Sequence, residues 1–281
     1  MSHRIKIVRL SVLSAAIVLP SIAGAQAMTS PAPVLQIGRE VVKPGKIAAH
    51  AKLEAAWSRG LEAAKYPTTF VALTSMSGPH EVWFVSPWAS LAAMQKANDE
   101  FDANTILSAI DEKYAPAEID YLQDWRVMTL MLREDLSYST GKPITDMRFA
   151  SVTRVLVRAG HTAEFVEART AIKAAHEKAK LSDGYAVYQA TLGMPSGTYY
   201  ILAARKSLTE VDDNAKTHAD PAYMAALGPD WMKRNAALVQ AYEASSDVNL
   251  FAVSAAMSVV PKEWGAADPF WKPKALPKQV P

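Results

Sequence analysis

The pattern of apolar and polar positions in this sequence occurs twice, at a spacing of about 115 residues. Residues 37–45 and residues 152–160 each alternate apolar and polar side chains and end in a glycine, as expected of a strand and a turn. Residues 46–65 and 161–180 follow, and both lack proline and carry apolar residues at helical spacing. Each half therefore predicts a strand that leads into one long amphipathic helix.

The two helices are predicted to bury equivalent stripes against the rest of the fold. In the second helix, the predicted stripe consists of Phe165, Ala168, Ile172, Ala175 and Ala179. In the first helix, the equivalent positions are His50, Leu53, Trp57, Gly60 and Ala64. The coincidence of the two stripes supports the repeat.

A hairpin, a second helical region and a closing strand complete each half. The hairpin strands are predicted at 69–76 and 81–86 in the first half, and at 185–192 and 198–203 in the second. The closing strands are predicted at 126–133 and 249–260. The order strand, helix, strand, strand, helix, strand is that of a ferredoxin-like unit. We therefore predict an α+β protein of two tandem ferredoxin-like (βαββαβ) modules.

The repeat divides the chain into five segments. They are a signal peptide at 1–27, a first module at 34–138, a linker at 139–146, a second module at 147–260 and a tail at 261–281. The tail contains two tryptophans and five prolines, so it is predicted to be neither helix nor sheet and to lie over the surface.

The N-terminus has the pattern of a secretory signal. Arg4, Lys6 and Arg9 precede an apolar run at 10–22, and small residues follow up to Ala27. The run is shorter than the roughly 20 residues of a membrane-spanning helix. We therefore predict a periplasmic or secreted protein that is not inserted in the membrane once the signal is cleaved.

Charge and cysteine content narrow the possible partners. The chain has 30 basic and 28 acidic residues, and the predicted signal holds three of the basic ones, which leaves 27 against 28. A concentrated basic surface is not expected, so nucleic acid is not a predicted partner. The chain contains no cysteine, which excludes disulfides and thiolate chemistry. Neither His80 nor His218 has a partner at metal-ligand spacing, and no metal is predicted. The preferred prediction for a cofactor is none, with haem as the alternative.

Several features resemble the dimeric α/β-barrel superfamily. They are the strands around Arg39 and Arg154, the turns at Gly45 and Gly160, the long helices, the hairpins and the Ser-Leu start of the second helical regions. The resemblance covers nearly all of residues 34–260. The superfamily includes antibiotic-biosynthesis-monooxygenase-like proteins. The resemblance implies that the two modules pair their antiparallel sheets into one barrel around a cavity. A homo-oligomer is then possible but not required.

Arg39 and Arg154 are equivalent by the repeat and lie mid-strand on the same face as their apolar neighbours. If this face lines the cavity, the two guanidinium groups could bind an anionic group of a ligand. If they stand at sheet ends, each would pair with a helix carboxylate such as Glu54 or Glu167. The sequence leaves both interpretations open.

The hairpin strands are rich in aromatic residues, which suit either an apolar pocket or a filled core. The predicted cavity residues are Arg39, Trp83, Phe84, Tyr199 and Tyr200. The first functional hypothesis is a small apolar or aromatic ligand held in a cavity between the modules. This hypothesis requires no catalysis.

Two further hypotheses follow from the resemblance. A cofactor-independent monooxygenase of an aromatic substrate would use His176, Tyr188 and Arg154 as its catalytic residues. A haem protein similar to the chlorite-dismutase group would use His176 as the axial ligand. The repeat places Leu61 opposite His176 and Phe165 opposite His50. His50 is therefore interpreted as a packing residue.

Overall fold

The computed structural model describes residues 30–217 and 219–272, so the predicted signal peptide and the end of the tail lie outside the described residues. The strands are β1 Val34–Val42, β2 Phe70–Ser75, β3 Glu81–Trp88, β4 Leu122–Leu132, β5 Phe149–Val157, β6 Ala186–Leu192, β7 Thr198–Arg205 and β8 Glu243–Val259. The helices are α1 Ile47–Ala63, α2 Leu91–Ala103, α3 Thr105–Tyr121, α4 Thr162–Ala179, α5 Leu208–Thr217, α6 Pro221–Leu227, α7 Trp231–Tyr242 and α8 Lys262–Ala267.

The eight strands form one closed antiparallel barrel in the order β1-β3-β2-β8-β5-β7-β6-β4. Within each half, the closing strand pairs with the first strand and the hairpin completes the sheet. The two sheets join where β2 pairs with β8 and where β4 pairs with β6. The predicted fold class, two ferredoxin-like modules that form an intramolecular α/β barrel, is confirmed.

Alternation along each strand separates the barrel interior from a helix layer outside it. In β1, Leu35 and Ile37 belong to the apolar cluster inside the barrel. The intervening side chains point outward, and Glu40 contacts His50 of α1. The sheet is thus covered on both faces, by its own interior on one side and by helices on the other.

The buried face of α4 agrees with the prediction, since Phe165, Ala168 and Ala175 are buried. The predicted face of α1 is partly wrong. Its buried residues are His50, Glu54, Ala55, Ser58 and Leu61. Polar side chains occupy this face because partners meet them there: the Ser58 hydroxyl donates to the Met257 carbonyl at 2.9 Å.

The start of the tail also differs from the prediction, because residues 262–271 form α8 and a short 3-10 turn. Trp264 and Trp271 are buried there, with ring centroids 5.0 Å apart. The Trp271 Nε1–H donates to the Thr145 carbonyl at 2.7 Å. Burial of the two indoles holds the segment against the barrel despite its prolines.

None of the helices in the described part of the chain combines the length and apolarity that a membrane crossing needs.

Candidate functional site

One end of the barrel contains a cavity of about 1560 Å³. Strand residues that point into the barrel form its inner wall, and they include Leu35, Ile37, Leu73, Trp83, Val152 and Tyr188. All of these side chains are apolar or aromatic, as in a site for an apolar small molecule.

The rim of the cavity is built from segments outside the strands. They are the residues before β1, the loop that joins α1 to β2, the segment between β4 and β5, and the start of the tail. Trp264 and Trp271 of the tail line the cavity, as does Tyr66 of the α1–β2 loop. The sequence prediction missed these three residues, and the pair of tryptophans in the tail was the one available signal.

Tyr188 stands on β6 and is 2% exposed. Its hydroxyl donates to the Ala32 carbonyl at 2.9 Å, which ties the segment before β1 to the cavity wall. Burial raises the pKa of Tyr188 far above its ordinary value. The phenol is therefore neutral at physiological pH and suits lining and hydrogen bonding better than proton abstraction.

Trp83 forms the floor of the cavity and packs against Phe251 and Tyr200, two aromatic residues of the barrel interior that do not line the cavity. Its ring centroid lies 4.8 Å from that of Phe251 and 5.9 Å from that of Tyr200. The Trp83 Nε1–H donates to Glu81 at 2.8 Å. Burial raises the pKa of Tyr200 to about 12, against a smaller opposing effect of Arg154. Tyr200 is thus a second neutral phenol.

The two repeat-related arginines lie on the far side of this floor. Arg39 makes a bidentate pair with Glu81 at 2.5 and 2.9 Å and a further contact with Asp124 at 3.2 Å. Arg154 pairs with Asp247 at 2.5 Å. Both arginines are thus held by strand carboxylates at the barrel end.

This arrangement corrects the expectation of helix partners. Glu54 is buried in the first helix layer, and Glu167 pairs with Arg234. Arg39 and Arg154 also stand apart from the residues that line the cavity. Neither arginine is therefore placed to bind a ligand in it.

Phe84 and Tyr199 do not line the barrel cavity, contrary to the prediction. Phe84 packs outside the sheet against Phe70 at 5.7 Å, and Tyr199 packs against Phe165 at 4.4 Å. The reason is the alternation of a strand: Trp83 and Tyr200 point inward, so the residue beside each must point outward. Two of the four predicted aromatic residues, Trp83 and Tyr200, thus lie inside the barrel, and of these Trp83 alone lines the cavity.

The three predicted catalytic residues lie in three different places. Tyr188 lines the cavity, Arg154 lies at the far barrel end, and His176 lies in the helix layer on α4. The His176 Nδ1–H donates to the Ile172 carbonyl at 2.8 Å. The proposed base, phenol and oxyanion partner are therefore not assembled into one site.

The surroundings of His176 do not fit an axial haem ligand. Its Nε2, the atom that would bind iron, lies 3.8 Å from the Asp183 carboxylate. The rings of Tyr138, Tyr185 and Tyr223 surround the imidazole, with centroids 4.9–5.4 Å away. A porphyrin would have to displace these rings, so no role for haem is derived at this position.

The comparisons with solved structures agree with this fold. An anthrone oxidase-like protein has a TM-score of 0.53 at 13% identity, over 80% of this chain and 93% of that one. A "putative monooxygenase" from Lactobacillus acidophilus has a TM-score of 0.50 at 11% identity, over 79% of this chain and 94% of that one. A mutant chlorite dismutase from Candidatus Nitrospira defluvii has a TM-score of 0.45 at 12% identity, over 86% and 97%.

At these identities the first two likenesses show the fold alone, and the third carries no argument. No family model and no curated protein matches the sequence. The chain thus has the fold of a dimeric α/β barrel, in a form in which one chain supplies both ferredoxin-like units.

Proposed function

We propose that this protein binds a small apolar or aromatic molecule inside the barrel. The observation that carries this proposal is the cavity of about 1560 Å³, walled by apolar and aromatic side chains. A volume of this order exceeds that of most small-molecule sites. The Tyr188 hydroxyl and charged lining residues, among them Lys142 and Arg205, supply polar groups that can orient the ligand.

A fluorescent apolar probe tests the proposal. We expect N-phenyl-1-naphthylamine to bind the purified chain with a saturable rise in fluorescence. Ala204 lines the cavity and its side chain is exposed to it, so Ala204→Trp would fill part of the site. We expect this variant to bind the probe about ten-fold more weakly, a loss of about 1.4 kcal/mol.

The matched control is Val248→Trp, which adds the same indole at a position that is 70% exposed on β8. It should bind the probe as the wild type does. Unsaturable binding, or equal affinities in a folded Ala204→Trp protein and the control, would refute the cavity as the site.

We also propose that the protein is exported. The support is the sequence of 1–27, with its basic start, apolar run and Ala27 at the end. Mass spectrometry of the protein recovered from the periplasm or medium should find an N-terminus at Met28. A full-length chain retained in the cytoplasm would contradict the proposal.

A further inference from the structure

The first helix layer contains a cluster of polar side chains that is separate from the barrel cavity. Glu40 on β1 and His50 and Glu54 on α1 each offer one donor atom, and these atoms all lie within 4.8 Å of one another. Their exposures are 3%, 0% and 0%. The cluster is therefore fully inside the protein.

The second module shows that the fold does not require such a cluster. Under the repeat, Glu40 corresponds to Val155 and His50 to Phe165. Val155 and Phe165 belong to an apolar cluster with Tyr199 and Tyr242. In the first module, Glu40 and His50 thus occupy positions that are apolar in the second module. Burial of charged or polar side chains lowers the stability of a fold, so a function is a reason for the chain to retain them.

The charges of the cluster favour a bound cation. Two carboxylates meet one imidazole, which supplies at most one positive charge. Carboxylate oxygens attract a divalent cation strongly in a buried environment of low dielectric constant.

The donor geometry agrees with a metal ion. His50 Nε2 and Glu40 Oε2 are 2.8 Å apart. Ligand atoms that share one metal ion, each at about 2.0–2.2 Å from it, lie roughly 3–4 Å from one another. Small side-chain movements would therefore bring these three residues into position around an ion. A smaller cavity of about 150 Å³ reaches Glu40, and it is also lined by Trp57, Phe84 and Asp111. The cluster therefore adjoins space in which a further ligand of the ion could stand.

We propose that Glu40, His50 and Glu54 bind one first-row divalent metal ion. One imidazole and two carboxylates suit Mn²⁺, Fe²⁺, Co²⁺ or Zn²⁺, and the lack of a thiolate disfavours Cu⁺. This site goes beyond the proposed ligand function of the barrel and does not depend on it. It also departs from the sequence prediction that no metal is bound.

Cobalt titration tests the site directly. We expect the full chain, stripped with a chelator and still folded, to take up one equivalent of Co²⁺ with visible d–d absorption and a raised melting temperature. Glu54→Gln keeps the shape of the side chain and removes a charged donor, so it should weaken binding by ten-fold or more. Glu112→Gln, an exposed position on α3, is the control and should bind Co²⁺ as the wild type does.

His50→Phe provides a second variant, since the repeat shows phenylalanine at the equivalent position. It should fold and take up no Co²⁺. If the folded wild type takes up neither Co²⁺ nor Zn²⁺, or if Glu54→Gln and His50→Phe bind as tightly as the wild type, the metal proposal is wrong. The cluster is then a buried ion pair of His50 with Glu40. The naphthylamine assay of the barrel is unaffected by either result, so the two proposals can fail separately.

Discussion

At the scale of single residues, Trp83 shapes the floor of the cavity. Its indole is packed against Phe251 and Tyr200, and its Nε1–H is satisfied by Glu81. Glu81 also holds Arg39, so the tryptophan joins the apolar cavity to the ionic barrel end. A buried aromatic residue with this many partners contributes strongly to stability.

Trp83→Ala should therefore lower the free energy of unfolding by about 3–5 kcal/mol. Urea unfolding followed by circular dichroism measures the loss. Trp125→Ala is the matched control, because Trp125 is 41% exposed on β4 and should cost far less. Equal losses in the two variants would contradict the role given to Trp83.

Asp183 links the stability of the second module to pH. Burial alone would raise the pKa of this carboxyl, but hydrogen bonding and the charge of His176 hold it below its ordinary value. Asn214 also donates to the carboxylate at 2.5 Å. Since the folded pKa is depressed, this carboxylate stabilises the fold above its ordinary pKa of about 3.9. The contribution is lost as the pH falls through the lower, folded value.

Asp183→Asn should thus be less stable than the wild type at pH 7, and the difference should shrink as the pH falls below about 4. Unfolding free energies measured from pH 2 to pH 7 report this directly. Asp120→Asn, at an exposed position of α3, should show no such trend. A difference for Asp183→Asn that is constant with pH would count against the linkage.

At the scale of elements, the start of the tail acts as a cover on the cavity rim. Arg148 makes two contacts with this segment. It forms an ion pair with Asp268, and its guanidinium lies 4.0 Å from the Phe270 ring centroid. Trp271 adds the hydrogen bond to Thr145. The cover is thus attached by side chains, including its two buried tryptophans, and local opening need not unfold the barrel strands.

Arg148→Met keeps an apolar stem and removes the charge, so it should loosen the cover selectively. We expect hydrogen exchange to accelerate several-fold in residues 262–271 and to remain unchanged in the barrel strands. Arg133→Met, which breaks the surface pair with Asp135, is the control. Unchanged exchange in the tail of Arg148→Met would show that other contacts hold it.

At the scale of the whole molecule, the two modules share one barrel. The pairs β2–β8 and β4–β6 cross between them, and the interior apolar cluster draws residues from both. Neither sheet can lose its partner without exposing strand edges and an apolar face. Unfolding of the modules should therefore be coupled.

Leu130→Ala tests this coupling, because Leu130 is 0% exposed inside the barrel. Calorimetry should show one transition in the wild type, with equal calorimetric and van't Hoff enthalpies. The substitution should shift that transition as a whole, at a cost of about 2–5 kcal/mol. Two separate transitions, with only one moved by Leu130→Ala, would contradict a shared core.

Sequence patterns alone predicted the order of the elements and two ferredoxin-like modules, and the family resemblance implied their pairing into one barrel. Apolar alternation and helical spacing are local properties, and their recurrence at a fixed offset identified two similar modules without any knowledge of contacts. The sequence also identified Trp83 and Tyr188 as aromatic residues of the hairpins, and both line the cavity.

Which side chains are in contact depends on the tertiary structure. A strand fixes that Trp83 and Phe84 point in opposite directions, but the pairing of the sheets fixes which of them lies inside the barrel. The helix face around Glu54 and the folded tail at Trp271 likewise depend on partners distant in sequence. Contacts between distant segments leave no periodic pattern in the sequence. For this reason the fold could be predicted from the sequence and the site could not.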